Sequence, residues 1–436
     1  MARAKSPSTR LDVRAFPGPE TIHRRELKNG LVVVARQNSS SPSVVVSGYI
    51  EAGAIDDPVG QAGLADLTAS ALMRGTGERS FDQIYESIES IGASLGFGAG
   101  TSATSFRGKS LAEDLNVLLS VAQDVIRHPA FPSDEVERLR GEKLTRLTMR
   151  DQNTGSVAQL TFDELAYPEH PYRFPSDGYR DTVSGLKPRA LKSFHRRFYG
   201  PKGAVVAVVG AVDPVAAINA VEKHLGDWSG GPKSRRPRIP GMRSPAETVR
   251  RDVVLEGKSQ SDIVLGSPGP SRFDPEFLPA ALGNNILGLF GLYGRIGDSV
   301  REAAGLAYYA YSTLSGGPGP GPWQVIEGVN PANAERAIEL TQRELRRFVA
   351  EPVTEEELAD NQANFIGRLP LQLESNEGVA AALMSIERYG LGPDYYQRYP
   401  DLIAAITRDE ILRTAQRFID ADRLVIALAG PGGENA

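Results

Sequence analysis

Two β-branched runs open the ordered pattern of the chain, LVVVAR from Leu31 to Arg36 and SVVVSGYI from Ser43 to Ile50, with a polar Asn/Ser-rich turn between them. Residues of this kind fit a half-buried pleated surface, so both stretches predict strands. The pattern then changes period. Gly63–Met73 and Phe81–Ile91 place apolar residues at helical spacing, with Ile84, Ile88 and Ile91 on one face. Leu111–Ile126 and Asp134–Thr148 predict two further helices, and the apolar run AVVAVVGAV from Ala204 to Val212 predicts a buried strand. Strands followed by pairs of long helices and a closing strand predict an α+β fold, with helices packed on a mostly antiparallel sheet.

The pattern occurs twice. FYGPKGAVVAVVG, Phe198–Gly210, and FIDADRLVIALAG, Phe418–Gly430, each follow an arginine (Arg197, Arg417), start with Phe and run through apolar residues to a glycine. PSDEVERLRGEKLTRL from Pro132 and VTEEELADNQANFIGRL from Val353 align at nearly the same offset, and each opens with a hydroxyl residue before acidic ones, the signature of a helix N-cap. Two homologous domains are therefore expected, at 1–228 and 247–436, joined by a linker at 229–246. Within that linker, SGGPKSRRPRIPGMRSP is rich in Gly, Pro and Arg. Proline neither continues a helix nor donates to a ladder, so the stretch predicts an exposed connection.

Composition narrows the chemistry. The 436 residues are 41% apolar and 24% charged, with a net charge of −5, as in ordinary globular proteins and without a nucleic-acid footprint. There is no cysteine, which excludes disulfides, thiolate metal sites and thiol nucleophiles. The five histidines, His23, His128, His170, His195 and His224, include no closely spaced metal-binding pair. The longest apolar run is far short of the ~20 residues that span a bilayer. The basic start MARAKSPSTRLDVR has no apolar core of the secretory kind. A cytoplasmic protein with no membrane contact is expected, a periplasmic or organellar location remaining open.

The stretch from Gly63 to Phe106, GLADLTASALMRGTGERSFDQIYESIESIGASLGFGAGTSATSF, resembles the pitrilysin family of zinc peptidases. HPAFPSDEVERLR, HPYRFPSDGYRDTVSGL, FYGPKGAVVAVVG and REAAGLAYY follow in the family's order, so the resemblance covers nearly the whole chain. It implies two homologous domains forming half of a clam-like shell. Active members carry H-x-x-E-H on the first helix, two imidazoles on one face for zinc with a glutamate to take a proton from the metal-bound water. Here Asp66, Ala69 and Ser70 stand at those three positions, before the Arg74-Gly75-Thr76 turn. Where the family's third ligand, a glutamate, is expected, the chain has Leu144, Thr145 and Arg146, with Glu142 the nearest carboxylate. No metal is expected in this chain. Nor does Ser70 predict a hydrolase nucleophile, since it lies mid-helix rather than on a strained elbow.

VREAAGLAYYAYSTLSGG, from Val300, resembles the family's C-terminal segment with its paired Arg and Tyr, at Arg301 and Tyr308. In active members this pair reaches toward peptide held at the zinc of another domain. There a tyrosine hydroxyl can donate to a developing oxyanion and a guanidinium can hold a peptide carbonyl. A chain without the zinc residues but with this pair resembles the non-catalytic subunit of a two-chain peptidase. That implies a homologous zinc-containing partner and peptide substrates. The alternative is a structural scaffold or peptide-binding protein of the same fold, in which Arg301 forms a structural ion pair and Tyr308 packs in the core. Ser94, Leu95, Gly96 and Phe97 fall where the family adds substrate to an edge strand. The Gly/Pro-rich SGGPGPGPW, Ser315–Trp323, predicts an extended loop between strands.

Overall fold

The two β-branched runs become inner strands of the first of two sheets. In the computed structural model, which describes residues 12–231, 239–241 and 244–432, the first sheet contains β1 (His23–Glu26), β2 (Val32–Gln37), β3 (Ser43–Ile50), β4 (Ser94–Ala99), β5 (Thr104–Leu111) and β6 (Val205–Gly210). Its spatial order is β1-β2-β6-β3-β5-β4. The second contains β7 (Val249–Val254), β8 (Ser261–Pro268), β9 (Ala307–Leu314), β10 (Pro322–Val329) and β11 (Val425–Gly430), in the order β7-β11-β8-β10-β9. Each sheet has one parallel pairing, β2 with β6 and β7 with β11, and is otherwise antiparallel. The basic start and most of the linker stretch fall outside the described residues.

The shared order makes β7-β11-β8-β10-β9 the counterpart of β2-β6-β3-β5-β4. The two thirteen-residue repeats do the same job in each half: a helix ends at Phe198 or Phe418, and the chain enters the buried central strand β6 or β11. Gly48 interrupts the apolar run of β3 because a Cβ there would lie 2.4 Å from the Phe106 ring and 2.5 Å from the Val205 carbonyl.

Five helices of the first half matter for the site: α1 (Leu64–Ala71), α2 (Phe81–Glu89), α3 (Leu115–Arg127), α4 (Ser133–Arg150) and α5 (Thr154–Ala166). Ile84 and Ile88 of α2 are buried, as their spacing predicts, and join the core beneath the first sheet. The helix expected from Leu111 starts at Leu115, because Leu111 still pairs with Ser43 in β5 and a short 3-10 turn follows.

The halves exchange one helix each. α5 lies on the second sheet, where Ala158, Phe162, Ala166 and Tyr167 pack with Val264, Val425 and Ala427. Its counterpart, the helix Asn376–Tyr389, lies on the first sheet, where Val379, Ala380, Leu383 and Ile386 pack with Val34, Val45, Val205 and Val209. This explains why the central strands are apolar on both faces, as buried strands of this kind read. One face meets the half's own helices and the other a helix from the opposite half.

Candidate functional site

Asp66, Ala69 and Ser70 all lie on α1. That helix starts at Gly63, whose left-handed φ of 93° turns the chain into the first turn. Asp57 holds this start, accepting the Gly63 and Ala65 N–H groups at 2.8 Å each. Burial pushes its carboxyl up to about 7 despite those donors, and the nearby Asp56 adds to the rise.

Asp66 forms an ion pair with Lys143 of α4, whose side chain is 5% exposed. Burial first, and then the nearby Arg146 and Arg150, drive that ammonium down to about 8, against the pull of the Asp177 and Asp57 carboxylates. The sequence had pointed to Glu142 as the nearest carboxylate on α4. Glu142 instead turns outward and pairs with Arg74 at 3.3 Å, while the next residue points inward. Ala69 is fully buried and Ser70 partly so.

This donor set does not fit zinc. It offers one carboxylate already committed to an ammonium, a methyl group and a hydroxyl, and a positive charge repels a second cation. Among the described residues, no group of three or more His, Asp or Glu side chains could hold a metal ion. The Asp66–Lys143 pair ties α1 to α4 with no metal. A lysine one residue beyond Glu142 was visible in the sequence, but its inward direction was not.

Arg301 and Tyr308 sit on different elements. Arg301 lies in a π-helical turn, Gly297–Ala303, and Tyr308 on β9, with Gly305 at φ 65° reversing the chain between them. The helix therefore ends before the tyrosine. Tyr308 is 62% exposed, so it is not a core residue. Among the described residues Arg301 pairs only with its neighbour Glu302, at 2.9 Å, and its guanidinium lies 5.9 Å from the Tyr293 ring. Arg301, half-buried, and Tyr308, exposed, stand on either side of one turn with no hydrogen bond between them.

Beside them is a segment that the sequence reading passed over. Gly288-Leu-Phe-Gly-Leu-Tyr-Gly294 leaves helical geometry at Gly291, Leu292, Tyr293 and Gly294. Tyr293 takes φ 75°, rare for a non-glycine residue, and stacks against Tyr311 of β9 at 5.9 Å. Leu289, Leu292 and Tyr293 are exposed, Leu292 by 56%. Gly294 cannot be larger, since a Cβ would lie 2.4 Å from the Ile286 carbonyl. Arg295 anchors the end of the segment by a bidentate bond to Glu357, 2.6 Å on each arm. Glycines at 288, 291 and 294 between apolar residues were the available signal.

Ser94, Leu95, Gly96 and Phe97 lie on β4, the edge of the first sheet. Ser94 and Gly96 are exposed, while Phe97 packs on Phe106 at 5.6 Å between centroids. α1 runs next to this strand, so the Asp66 face and the sheet edge are neighbours. Ser315–Gly321 is the loop between β9 and β10, as expected, and two tyrosines of the first half fasten it. The Tyr167 hydroxyl donates to the Pro320 carbonyl, and the Gly319 N–H donates to the Tyr172 hydroxyl, both at 3.0 Å.

The two-sheet fold agrees with comparisons to other proteins. Residues 32–173 match the domain described as insulinase (peptidase family M16), and residues 185–365 match the peptidase M16 inactive domain. The chain belongs to this pitrilysin-type family of peptidases. Over 426 residues it is 25% identical to an uncharacterised zinc protease of Streptomyces coelicolor, covering 96% of this chain and 92% of that one. An uncharacterised zinc protease of Mycobacterium leprae is 28% identical over 382 residues, 85% of this chain and 83% of the relative. A peptidase M16 inactive domain from Pseudomonas fluorescens superposes with a TM-score of 0.88 at 24% identity, over 94% of this chain and 98% of that one. A protease from Helicobacter pylori does so with a TM-score of 0.87 at 19% identity, over 95% and 100%.

Proposed function

We propose that this chain is the non-catalytic subunit of a two-chain zinc peptidase. It completes the chamber and binds peptide through Arg301 and Tyr308, while a homologous partner carrying H-x-x-E-H brings the metal. The observation that carries the reading is the contrast between the two halves. The first half has an ion pair where a metal site would be, and the second keeps a half-buried Arg and an exposed Tyr beside an exposed apolar segment. A tyrosine packed for stability would be buried, and Tyr308 is not.

The division of labour follows from the chemistry. Zinc held by the partner's H-x-x-E-H would supply an activated water and Lewis-acid polarisation of a carbonyl. Arg301 holds a backbone carbonyl of the extended peptide with a planar fork of donors. Tyr308 points its hydroxyl at the oxygen where negative charge develops, an interaction stronger in the transition state than in the ground state. Leu289, Leu292 and Tyr293 offer apolar contact to peptide side chains. Backbone pairing at an edge strand such as β4 reads little sequence, which suits varied peptides.

Tyr308→Phe separates this role from a structural one. It removes one hydroxyl from an exposed side chain, so assembly and melting temperature stay unchanged while kcat of the complex falls by about 10²-fold or more. An unchanged kcat in an intact complex would remove Tyr308 from the mechanism.

A further inference from the structure

A cleft between the halves is distinct from the Arg301/Tyr308 surface and from the α1 face. It is a cavity of about 530 Å³ bounded by α5, the Ser315–Gly321 loop and the end of the helix Asn376–Tyr389. A second hollow of about 550 Å³ continues it, sharing Thr101, Gln159, Asp163 and Tyr172. The fastening of the loop by Tyr167 and Tyr172 fixes one wall.

Two charged side chains line this cleft without a charged partner among the described residues. Asp163, on α5, accepts one hydrogen bond, from Gln159 Nε2 to Oδ1 at 3.1 Å, and its Oδ2 accepts none among the described residues. The Gln159 amide is itself held by Gln324, whose Nε2 donates to Gln159 Oε1 at 2.7 Å. Among the described residues no cation pairs with Asp163; burial and the nearby Glu164 push its carboxyl up to about 7. Arg388 donates to Ser102 Oγ at 2.6 Å and lies over the Tyr49 ring at 5.1 Å, yet forms no ion pair among the described residues. A half-buried carboxylate and a half-buried guanidinium that both avoid ion pairs are costly to keep unless something pairs them.

We propose that this cleft binds a small zwitterion, a free α-amino acid or short peptide, with its ammonium on Asp163 and its carboxylate on Arg388. The guanidinium fork matches a carboxylate. The tyrosine-lined walls suit an ammonium and a small side chain. Nothing in this inference requires a peptidase partner, so it stands or falls apart from the proposed subunit role.

Isothermal titration calorimetry on the full chain without any partner tests it, with alanine, Ala-Ala, N-acetyl-Ala-Ala and Ala-Ala-amide. Alanine or Ala-Ala binds, the better of the two reporting the spacing, and capping either end of Ala-Ala weakens it by about tenfold or more. Asp163→Asn keeps the bond from Gln159 and removes the charge, so the uncapped ligand loses affinity while the melting temperature holds. Arg388→Lys keeps the charge but not the fork and weakens the carboxylate-bearing ligands. No saturable binding of either zwitterion up to about 10 mM, or equal binding of capped and uncapped ligands, would overturn the assignment. So would an unchanged affinity in Asp163→Asn.

Discussion

Lys143 and Asp66 are opposite charges held where little water reaches, and such a pair is far easier to break than to dispense with. Removing one partner leaves a buried charge with nothing to balance it. Lys143→Met should therefore destabilise the chain by about 3–5 kcal/mol, whereas Lys143→Met with Asp66→Leu should recover most of the loss. Chemical denaturation of the three proteins measures both, and equal stability of single and double variants would show that the pair does not hold α1 to α4. Glu327 gives a second test. It is fully buried, accepts a hydrogen bond from Thr341, and burial pushes its carboxyl up to about 7. The folded state thus keeps a proton that the unfolded chain loses, so Glu327 lowers stability as pH rises from the ordinary glutamate range to about 7. Glu327→Gln should be neutral near pH 4 and stabilising by about 2–3 kcal/mol at pH 8. A pH-independent effect would contradict the raised carboxyl. At this scale the sequence pointed to Asp66, Ala69 and Ser70 on one helix, because identity is what it records. It did not announce that Lys143 rather than Glu142 turns inward, since one position on a helix changes direction by about 100° and only packing fixes the phase.

At the scale of elements, the two repeats were legible because a thirteen-residue apolar frame recurs at Phe198 and Phe418. The exchanged helices were not. α5 and Asn376–Tyr389 have apolar residues that any sheet could cover, and nothing local says that each belongs to the other half. The loop Gly288–Gly294 was hidden for a related reason: its leucines and aromatics read as core until the glycines break the helix and leave Leu289, Leu292 and Tyr293 exposed. The exchange has a consequence. Expressed alone, residues 12–231 would present Val34, Val45, Val205 and Val209 uncovered, each buried aliphatic being worth about 1.5–3 kcal/mol. The separate halves should be aggregated or lack fixed tertiary structure, and co-expression should restore a 1:1 assembly. Gel filtration and near-ultraviolet circular dichroism check this. A cooperatively folded, monomeric first half would mean that the exchanged helix is an accessory.

For the whole molecule, family order along the chain made the fold legible, while the subunit role rests on how two surfaces differ. One domain has an ion pair across the helices that would carry a metal site, and the other keeps a half-buried arginine and an exposed tyrosine. No helix of the described residues is long and apolar enough to cross a membrane. The most direct test is to assay peptide cleavage and bound zinc for the purified chain alone, for its H-x-x-E-H homologue alone, and for the two mixed. The account predicts cleavage only in the mixture, with zinc following the homologue. Zinc bound stoichiometrically by this chain alone, together with cleavage, would contradict it.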